Sequence, residues 1–506
     1  MTTHSEVVRL NLEYYRRQAK ALLKASKAGD ATALQRLNSY RPTLYKADLK
    51  SVALHDAQLA IAREQGFPSW PKFKAFIVES NLDFQELVAS FIDAAVSDGR
   101  RAREILSTHP KIADAGFYVA LVLGDWKQVD RALAEAPALT NAKTGPQNCE
   151  PLLYVCFSCY ANGKSERATN LVETAKVLLR HGADPNASLV PEDLPNNPLS
   201  CLYAATGLNN NPALARALLE AGADPNDSES LYHSIEHPDL NCMKLLLSHG
   251  AGVEGTNALK HVLDREDVEG LQLLLAAGAN PDETNERGET ALHWAVGRGR
   301  SAETITILSD RGVDLNAQRK DGRTTYALAM LSGQTEIADL LRRRGATTEL
   351  SPLDQFVSAH ANSASTQPPI TPLPGLLSPG NECLLPDLAS THHTAAVRAL
   401  LAAGMPIDAR GEAGGTALHW ACWKGYPDLV KVLLDHGAST LIEDREYHAP
   451  PTGWFHHGST NCFEPDRDHP HVARVLIAAG VPMHGCHTPT GNPDVDAVLR
   501  EHKLIE

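Results

Sequence analysis

The chain has 506 residues, a formal charge of −14 and only 6% aromatic residues. That length exceeds one ordinary globular core and suggests about three domains, unless repeated units each bury their apolar face against a neighbour. The acidic balance argues against nucleic acid as the main partner, and no run approaches the ~18 apolar residues of a membrane span.

The charge is uneven, because residues 1–80 carry 13 Lys/Arg against 7 Asp/Glu and so leave −20 on the remainder. The opening Met1-Thr2-Thr3-His4-Ser5-Glu6 has no basic flank before an apolar run, so no signal peptide is expected. Nine scattered cysteines, an odd number set mostly in apolar helical patterns, read as reduced thiols in a cytoplasmic protein.

In chain order, residues 1–81 read as a small basic helical head. Apolar positions recur at helical spacing over 11–23, again over 31–37 after Gly29-Asp30, and over 54–64. The string Gly66-Phe67-Pro68-Ser69-Trp70-Pro71 then ends one helix and starts the next, with Pro71 where a first-turn proline is tolerated. Residues 82–145 hold two degenerate helix pairs, one around Phe91 and Gly99, the other around Tyr118 and Leu133.

Beyond them a glycine recurs after each apolar stretch, at 182, 222, 250, 278, 312, 345, 404, 437 and 480. The steps are 40, 28, 28, 34, 33, 59, 33 and 43. The strings Gly182-Ala183-Asp184-Pro185-Asn186 and Gly222-Ala223-Asp224-Pro225-Asn226 join a helix-ending glycine to turn formers. Second helices open on Pro212, Pro238 and Pro427, where a missing N–H costs nothing. The hexapeptide Thr290-Ala291-Leu292-His293-Trp294-Ala295 returns as Thr416-Ala417-Leu418-His419-Trp420-Ala421.

These strings resemble the ankyrin repeat, whose pattern is a glycine turn, T-P-L-H-x-A-A, a mid-repeat glycine and L-L-x-x-G-A, with a period of about 33 residues. The resemblance implies an all-α helical solenoid of paired antiparallel helices with β-turn finger loops, preceded by a small helical domain. The head strings around 18–30, 56–67 and 69–74 resemble the head module of many bacterial ankyrin-repeat proteins. The expected organisation is a head at 1–81, a first repeat block at 82–361, a Pro/Ser-rich bridge at 362–380 and a second block at 381–506 with a His-rich end. The bridge, rich in Ser363, Ser365, Pro368, Pro369, Pro372, Pro374, Pro379 and Gly380, is expected to let the blocks adjust their angle.

The resemblance also implies a non-catalytic scaffold that binds a partner protein through its concave face and finger tips. The chain is expected to be monomeric and without a cofactor, and its partner to carry basic patches that face the acidic body. Counting from the two hexapeptides, Glu286, Arg287, Glu289 and Arg298 fall at outward turn or helix-end positions in one repeat. Lys320, Asp321, Arg323 and Leu331 do so in the next. Trp423, with Lys424 beside it, falls at an outward helix end, where an aromatic anchor suits an interface. The alternative for Trp423 is packing against the insertion at 441–468. His293 and His419 match the family histidine that ties neighbouring turns, and Trp294 and Trp420 match a partly buried core position.

Two further groups of residues have the types that redox or metal chemistry uses. Cys156-Phe157-Ser158-Cys159 has redox or zinc spacing but falls within the first-helix string from Pro151, which favours buried structural thiols. His456, His457, His469 and His471, with Cys462 and Cys486 nearby, are weak metal candidates that match no closed zinc pattern. The run Pro451-Thr452-Gly453-Trp454 onward instead resembles a first repeat helix of the same bacterial proteins. A metal-binding or redox protein using this end, and an enzyme with a site within 441–471, stand as alternatives to the binder. No P-loop, nucleophile elbow, HExxH or dinucleotide motif occurs, so an enzyme is not expected.

Overall fold

A computed structural model describes residues 11–40, 52–191, 197–227, 229–361, 381–462, 467–483, 486, 488–502 and 504–505. The chain forms two compact units, Met1–His249 and Gly250–Glu506. Apart from one short strand pair, the regular structure among the described residues is helical, and no helix there is long and apolar enough to cross a membrane.

The first unit begins with α1 (Leu12–Lys27), α2 (Ala31–Tyr40), α3 (Leu54–Glu64) and α4 (Trp70–Asn81). These four close on a core of their own, in which Leu22, Leu37, Ile61, Phe73 and Ile77 are buried. Arg36 grips Glu64 with two parallel hydrogen bonds of 2.8 and 2.7 Å, joining α2 to α3.

The next helix pairs of this unit are α5 (Phe84–Ser97) with α6 (Gly99–Thr108), α7 (Phe117–Leu123) with α8 (Trp126–Glu135), and α9 (Pro151–Cys156) with α10 (Glu166–Arg180). They continue through α11 (Cys201–Tyr203), α12 (Pro212–Glu220), α13 (Ser230–Ser234) and α14 (Asn241–Ser248). Before α11 a minimal antiparallel pair forms, Ser188–Leu189 with Leu199–Ser200. Starts are set by side-chain caps: Asp83 and Glu86 make a reciprocal box at α5, and Ser165 caps α10. Cys156 is buried in α9 and Cys159 half-buried after it, and both are free thiols.

The second unit repeats the pairing with α15 (Ala258–Asp264) and α16 (Val268–Ala276), α17 (Ala291–Gly297) and α18 (Ala302–Asp310), and α19 (Thr325–Leu331) and α20 (Thr335–Arg343). Next come α21 (Pro352–Ala361), α22 (Leu384–Ser390) and α23 (Thr394–Ala402), then α24 (Ala417–Lys424) and α25 (Pro427–Asp435). The unit ends with α26 (Pro451–Asn461), α27 (His469–Ala478) and α28 (Pro493–Glu501). First helices pack on first helices, with α17 between α15 and α19 and α24 between α22 and α26. Second helices pack likewise, with α25 between α23 and α27.

Two features recur with the glycine period. All nine repeat-closing glycines take left-handed backbone, from φ +69° at Gly480 to +99° at Gly345. The Asn/Asp of the turn strings form a ladder from one turn to the next. Asn141 bonds the Gly182 carbonyl and the Asp184 amide at 2.9 and 3.1 Å, and Asn186 accepts from Asp224 at 2.8 Å. Asp282, Asn316 and Asp408 accept from Asp314, Thr347 and Ser439 in the same way in the second unit.

The bridge at 362–380 lies outside the described residues. The helices on either side of it share one core: Leu331, Leu353 and Val357 are buried in the same cluster as Leu384, Leu385, Leu418 and Leu476. The two blocks read from the sequence are thus continuous in packing here.

Candidate functional site

The two hexapeptides fold alike. Thr290 and Thr416 cap α17 and α24, and each exchanges hydrogen bonds with the histidine three residues on; the hydroxyl-to-Nδ1 distances are 2.8 and 2.9 Å. The far ring nitrogen then reaches the next turn, His293 to the Arg323 carbonyl at 3.3 Å and His419 to the Ala449 carbonyl at 3.2 Å. Burial lowers the pKa of both rings, only partly offset by those carbonyls, so neutral imidazole is the form that ties the turns. Their role is structural, as the motif implied.

The finger residues differ from the outward positions read from the sequence. Glu286 and Lys320 are exposed and Arg287 and Arg298 half-buried, but Glu289 is 7%, Arg323 4% and Leu331 2% exposed. Leu331 belongs to the hydrophobic core that runs past 362–380. The charged residues sit in a buried ion network centred on Arg319, which bonds Glu289 at 2.9 Å and also Asp321. Arg323 bonds Asp354 through Nε at 2.9 Å, Asp321 at 3.0 Å and Asn381 at 2.8 Å. Arg287 reaches Asp387 at 2.6 Å.

Burial alone would raise the Asp321 pKa, yet the hydrogen bond and charge of Arg319, with Arg323, bring it down to about 2. Glu289 is lowered too, its burial outweighed by Arg287, Asn285 and Arg319. These charges lie inward because each finds a counter-charge on a neighbouring finger, and paired charges can be buried. Glu289, Arg323 and Leu331 are therefore interior to the structure, and Asp321 is half-buried with its carboxylate held by Arg319 and Arg323.

Trp423 is half-buried, stacked on His457 with centroids 5.2 Å apart and edge-on to Trp454 at 6.1 Å. It packs on the inserted helix α26, the alternative the sequence left open. The same rings line a cleft of about 1110 Å³, shared by Trp420, Trp423, Lys424, Tyr447, Trp454 and His457 with Asp264, Arg298 and Arg300. Trp420 stands edge-on to Trp454 at 5.2 Å. Asp444 organises the finger over this cleft: it accepts from the amides of Glu446, Tyr447 and Ala449 at 2.8, 2.6 and 3.0 Å and from Trp454 Nε1 at 2.9 Å. Tyr447 is left 68% exposed at its tip.

Trp420 is partly buried against the core, as its place in the family string implied, and its remaining surface lines the cleft; Trp294 is half-buried in the equivalent place. The signal for both was their size where the family string carries a smaller residue. Trp454 and Tyr447 were not singled out as partner contacts, because the fold of 441–461 decides where they point.

The metal candidates separate into unlike roles. His456 bonds the Thr488 carbonyl at 3.2 Å, His457 stacks on Trp423, and His471 lies 3.7 Å from Asp468. His469 is buried, with its Nε2 3.0 Å from the Trp423 carbonyl, and burial lowers its pKa. Among the described residues no group of three or more His, Cys, Asp or Glu is gathered to hold a metal.

Stacked helix pairs with capping histidines, left-handed closing glycines and laddered turns define an α-helical repeat solenoid as the class of protein. Family models described as ankyrin repeats match residues 201–285 and 258–351 in one case and 385–434 in another. The chain is an ankyrin-repeat protein. It is similar to an ankyrin repeat-containing protein of Treponema pallidum (strain Nichols), 31% identical over 145 residues, or 28% of this chain and 40% of that one. It is also similar to a Caenorhabditis elegans homolog of transient receptor potential cation channel subfamily A member 1, 30% identical over 151 residues, covering 30% of this chain and 10% of the channel. The Caenorhabditis elegans ankyrin repeat and KH domain-containing protein mask-1 is 28% identical over 169 residues, 33% of this chain and 6% of that protein. The chain thus aligns with less than half the length of each of these relatives.

Proposed function

We propose that this protein is a non-catalytic scaffold that binds a partner protein in the tryptophan-lined cleft of its second unit. The observation that carries the reading is the cleft: half-exposed Trp420 and Trp423 and the tip of Tyr447, with Arg298 and Arg300, surround one concavity. Tryptophan, tyrosine and arginine dominate binding energy at protein interfaces, and half-buried indoles held edge-to-face need little ordering on binding. The volume of about 1110 Å³ lies above the 300–1,000 Å³ common for small-molecule sites, which favours a polypeptide segment. Glu286 and Lys320, exposed on successive fingers of the same unit, are taken as further contacts outside the cleft.

The test is a quantitative affinity capture from the native host's lysate, comparing the intact chain with Trp423→Ala and with a Glu286→Ala/Lys320→Ala double variant. A protein retained by the intact chain, lost with Trp423→Ala and weakened in the double variant is the expected result. Capture unaffected by Trp423→Ala would move the binding site off the cleft, and no specific capture by any form would sink the scaffold reading.

A further inference from the structure

The two hexapeptides allow a comparison within the chain. In the first, the face of Trp294 is already occupied: Arg298 Cζ lies 4.5 Å and Lys260 Nζ 5.9 Å from its centroid. Asp264 takes hydrogen bonds from both Trp294 Nε1 and Arg298 Nε, each 2.9 Å. One indole, two cations and one carboxylate thus form a closed group. In the second copy the aromatic part is larger. Trp420 holds the place of Trp294, Trp423 follows three residues on, and both stand nearly perpendicular to Trp454, at 83° and 74°. Asp444 takes the Trp454 Nε1 hydrogen bond at 2.9 Å, as Asp264 takes that of Trp294.

We infer that this cleft receives a basic segment of the partner, seating an arginine or lysine side chain on the half-exposed indole surface of Trp420 and Trp423. The inference rests on the reading of the cleft as a partner site and adds the partner's chemistry. An indole presents a negative face to a cation, and the attraction grows when the pair is shielded from water, as in a concave site.

Three cations, Arg298, Arg300 and Lys424, line the cleft against two carboxylates, Asp264 and Glu446, and each arginine already has a carboxylate beside it. Asp264 pairs with Arg298 at 2.9 Å, Arg300 lies 3.4 Å from Glu266, and Lys424 and Glu446 each contribute one charge to the lining. The long-range field is then set by the unit as a whole. Residues 250–506 carry 21 Lys/Arg against 33 Asp/Glu, a balance of −12, which attracts a cationic segment and repels an anionic one. Exposed Glu446, next to Tyr447 on the finger that borders the cleft, gives the incoming cation a carboxylate at the mouth.

The experiment selects a phage-displayed random peptide library on the full chain. Parallel selections use Trp423→Leu, Trp423→Phe and Glu446→Lys, each checked for an unchanged circular dichroism spectrum and melting point. Sequences with a recurring Arg or Lys should be enriched on the intact chain, lost on Trp423→Leu, largely kept on Trp423→Phe and weakened on Glu446→Lys. Replacing that arginine by citrulline in the selected peptide, which removes the charge at nearly constant shape, should weaken binding about tenfold when read by tryptophan fluorescence.

Tryptophan-dependent enrichment of neutral or acidic sequences, or equal affinity for the citrulline peptide, would overturn the cationic partner while leaving a binding cleft. Absence of any tryptophan-dependent enrichment would overturn both readings.

Discussion

Arg287 and Asp387 are 100 positions apart in the chain, yet Nη2 of one lies 2.6 Å from Oδ2 of the other. Arg319 also approaches Asp387, at 3.4 Å. These contacts clamp α22, which follows the 362–380 stretch, onto fingers that precede it, and they accompany the shared apolar core.

Removing Asp387 would leave two substantially buried guanidinium groups short of a counter-charge, the costly way to break a buried pair. Asp387→Ala should destabilise the second unit by about 2–4 kcal/mol, and it should raise hydrogen exchange most in α22 and in the fingers before α17 and α19. An Arg287→Ala/Asp387→Ala cycle in urea should show coupling of at least about 1 kcal/mol. Coupling near zero would mean that the Arg287–Asp387 pair does not help to join these elements.

Stability should fall on acidification in two windows. Burial, with the neighbouring His392, lowers His393 to about 4, whereas an unfolded histidine titrates near 6.5. Between those values the unfolded chain binds a proton that the folded chain does not, so stability is lost as pH drops from about 6.5 to 4. The loss from His393 is on the order of 2 kcal/mol, and His393→Gln should make that limb of a stability–pH curve shallower, with the lowered His293, His419 and His469 supplying the rest. Below it, Asp321, held at about 2 against about 3.9 unfolded, protonates first in the unfolded state. A second loss is expected between about pH 4 and 2. A single transition below pH 4 in the wild type would contradict the His393 part.

His419 joins its turn to Ala449 on the finger that carries Tyr447, so its loss should act on the cleft as well as on the fold. His419→Ala removes the bond to the Ala449 carbonyl and leaves a small cavity beside Trp454, 5.3 Å from the histidine ring. A cost of about 2–3 kcal/mol follows, with a changed tryptophan emission. The matching His293→Ala should cost a similar amount without that spectral change near the cleft. Equal spectra for both variants would show that the finger is held by Asp444 alone.

The sequence made the repeat legible wherever a local rule fixes the backbone. The closing glycines, the Thr–His caps and the Asn/Asp turn ladder each need particular residue types at particular positions. It was less legible where the partner of a side chain lies on another repeat. Arg323 and Glu289 look like solvated finger charges until the next finger brings Asp354 and Arg319 to them. Trp423 was legible as an unusual aromatic, but its stacking on His457 depends on α26 lying against α24, which no short string encodes. Trp420 was legible as a partly buried core position, and only the packed geometry shows that its remaining surface lines the cleft.

The contact between α24 and α26 that builds the cleft depends on one small residue. A Cβ added at Gly458 would fall 2.4 Å from the Trp423 carbonyl oxygen and 2.9 Å from its Cα, both backbone atoms. Those atoms cannot swing aside like a flexible side chain, so the helices must separate. Gly458→Ala is therefore expected to destabilise by about 1–3 kcal/mol, despite alanine's better helix propensity. It should also loosen the stacking of Trp423 on His457 and increase quenching of tryptophan emission by acrylamide. A substitution in the same helix at Gly453, where the closest atoms are the Ala449 and Pro450 side chains at 3.1 and 3.6 Å, should cost less and leave quenching nearly unchanged. If Gly453→Ala and Gly458→Ala behaved alike, the close approach of α24 to α26 would not be what positions the tryptophans.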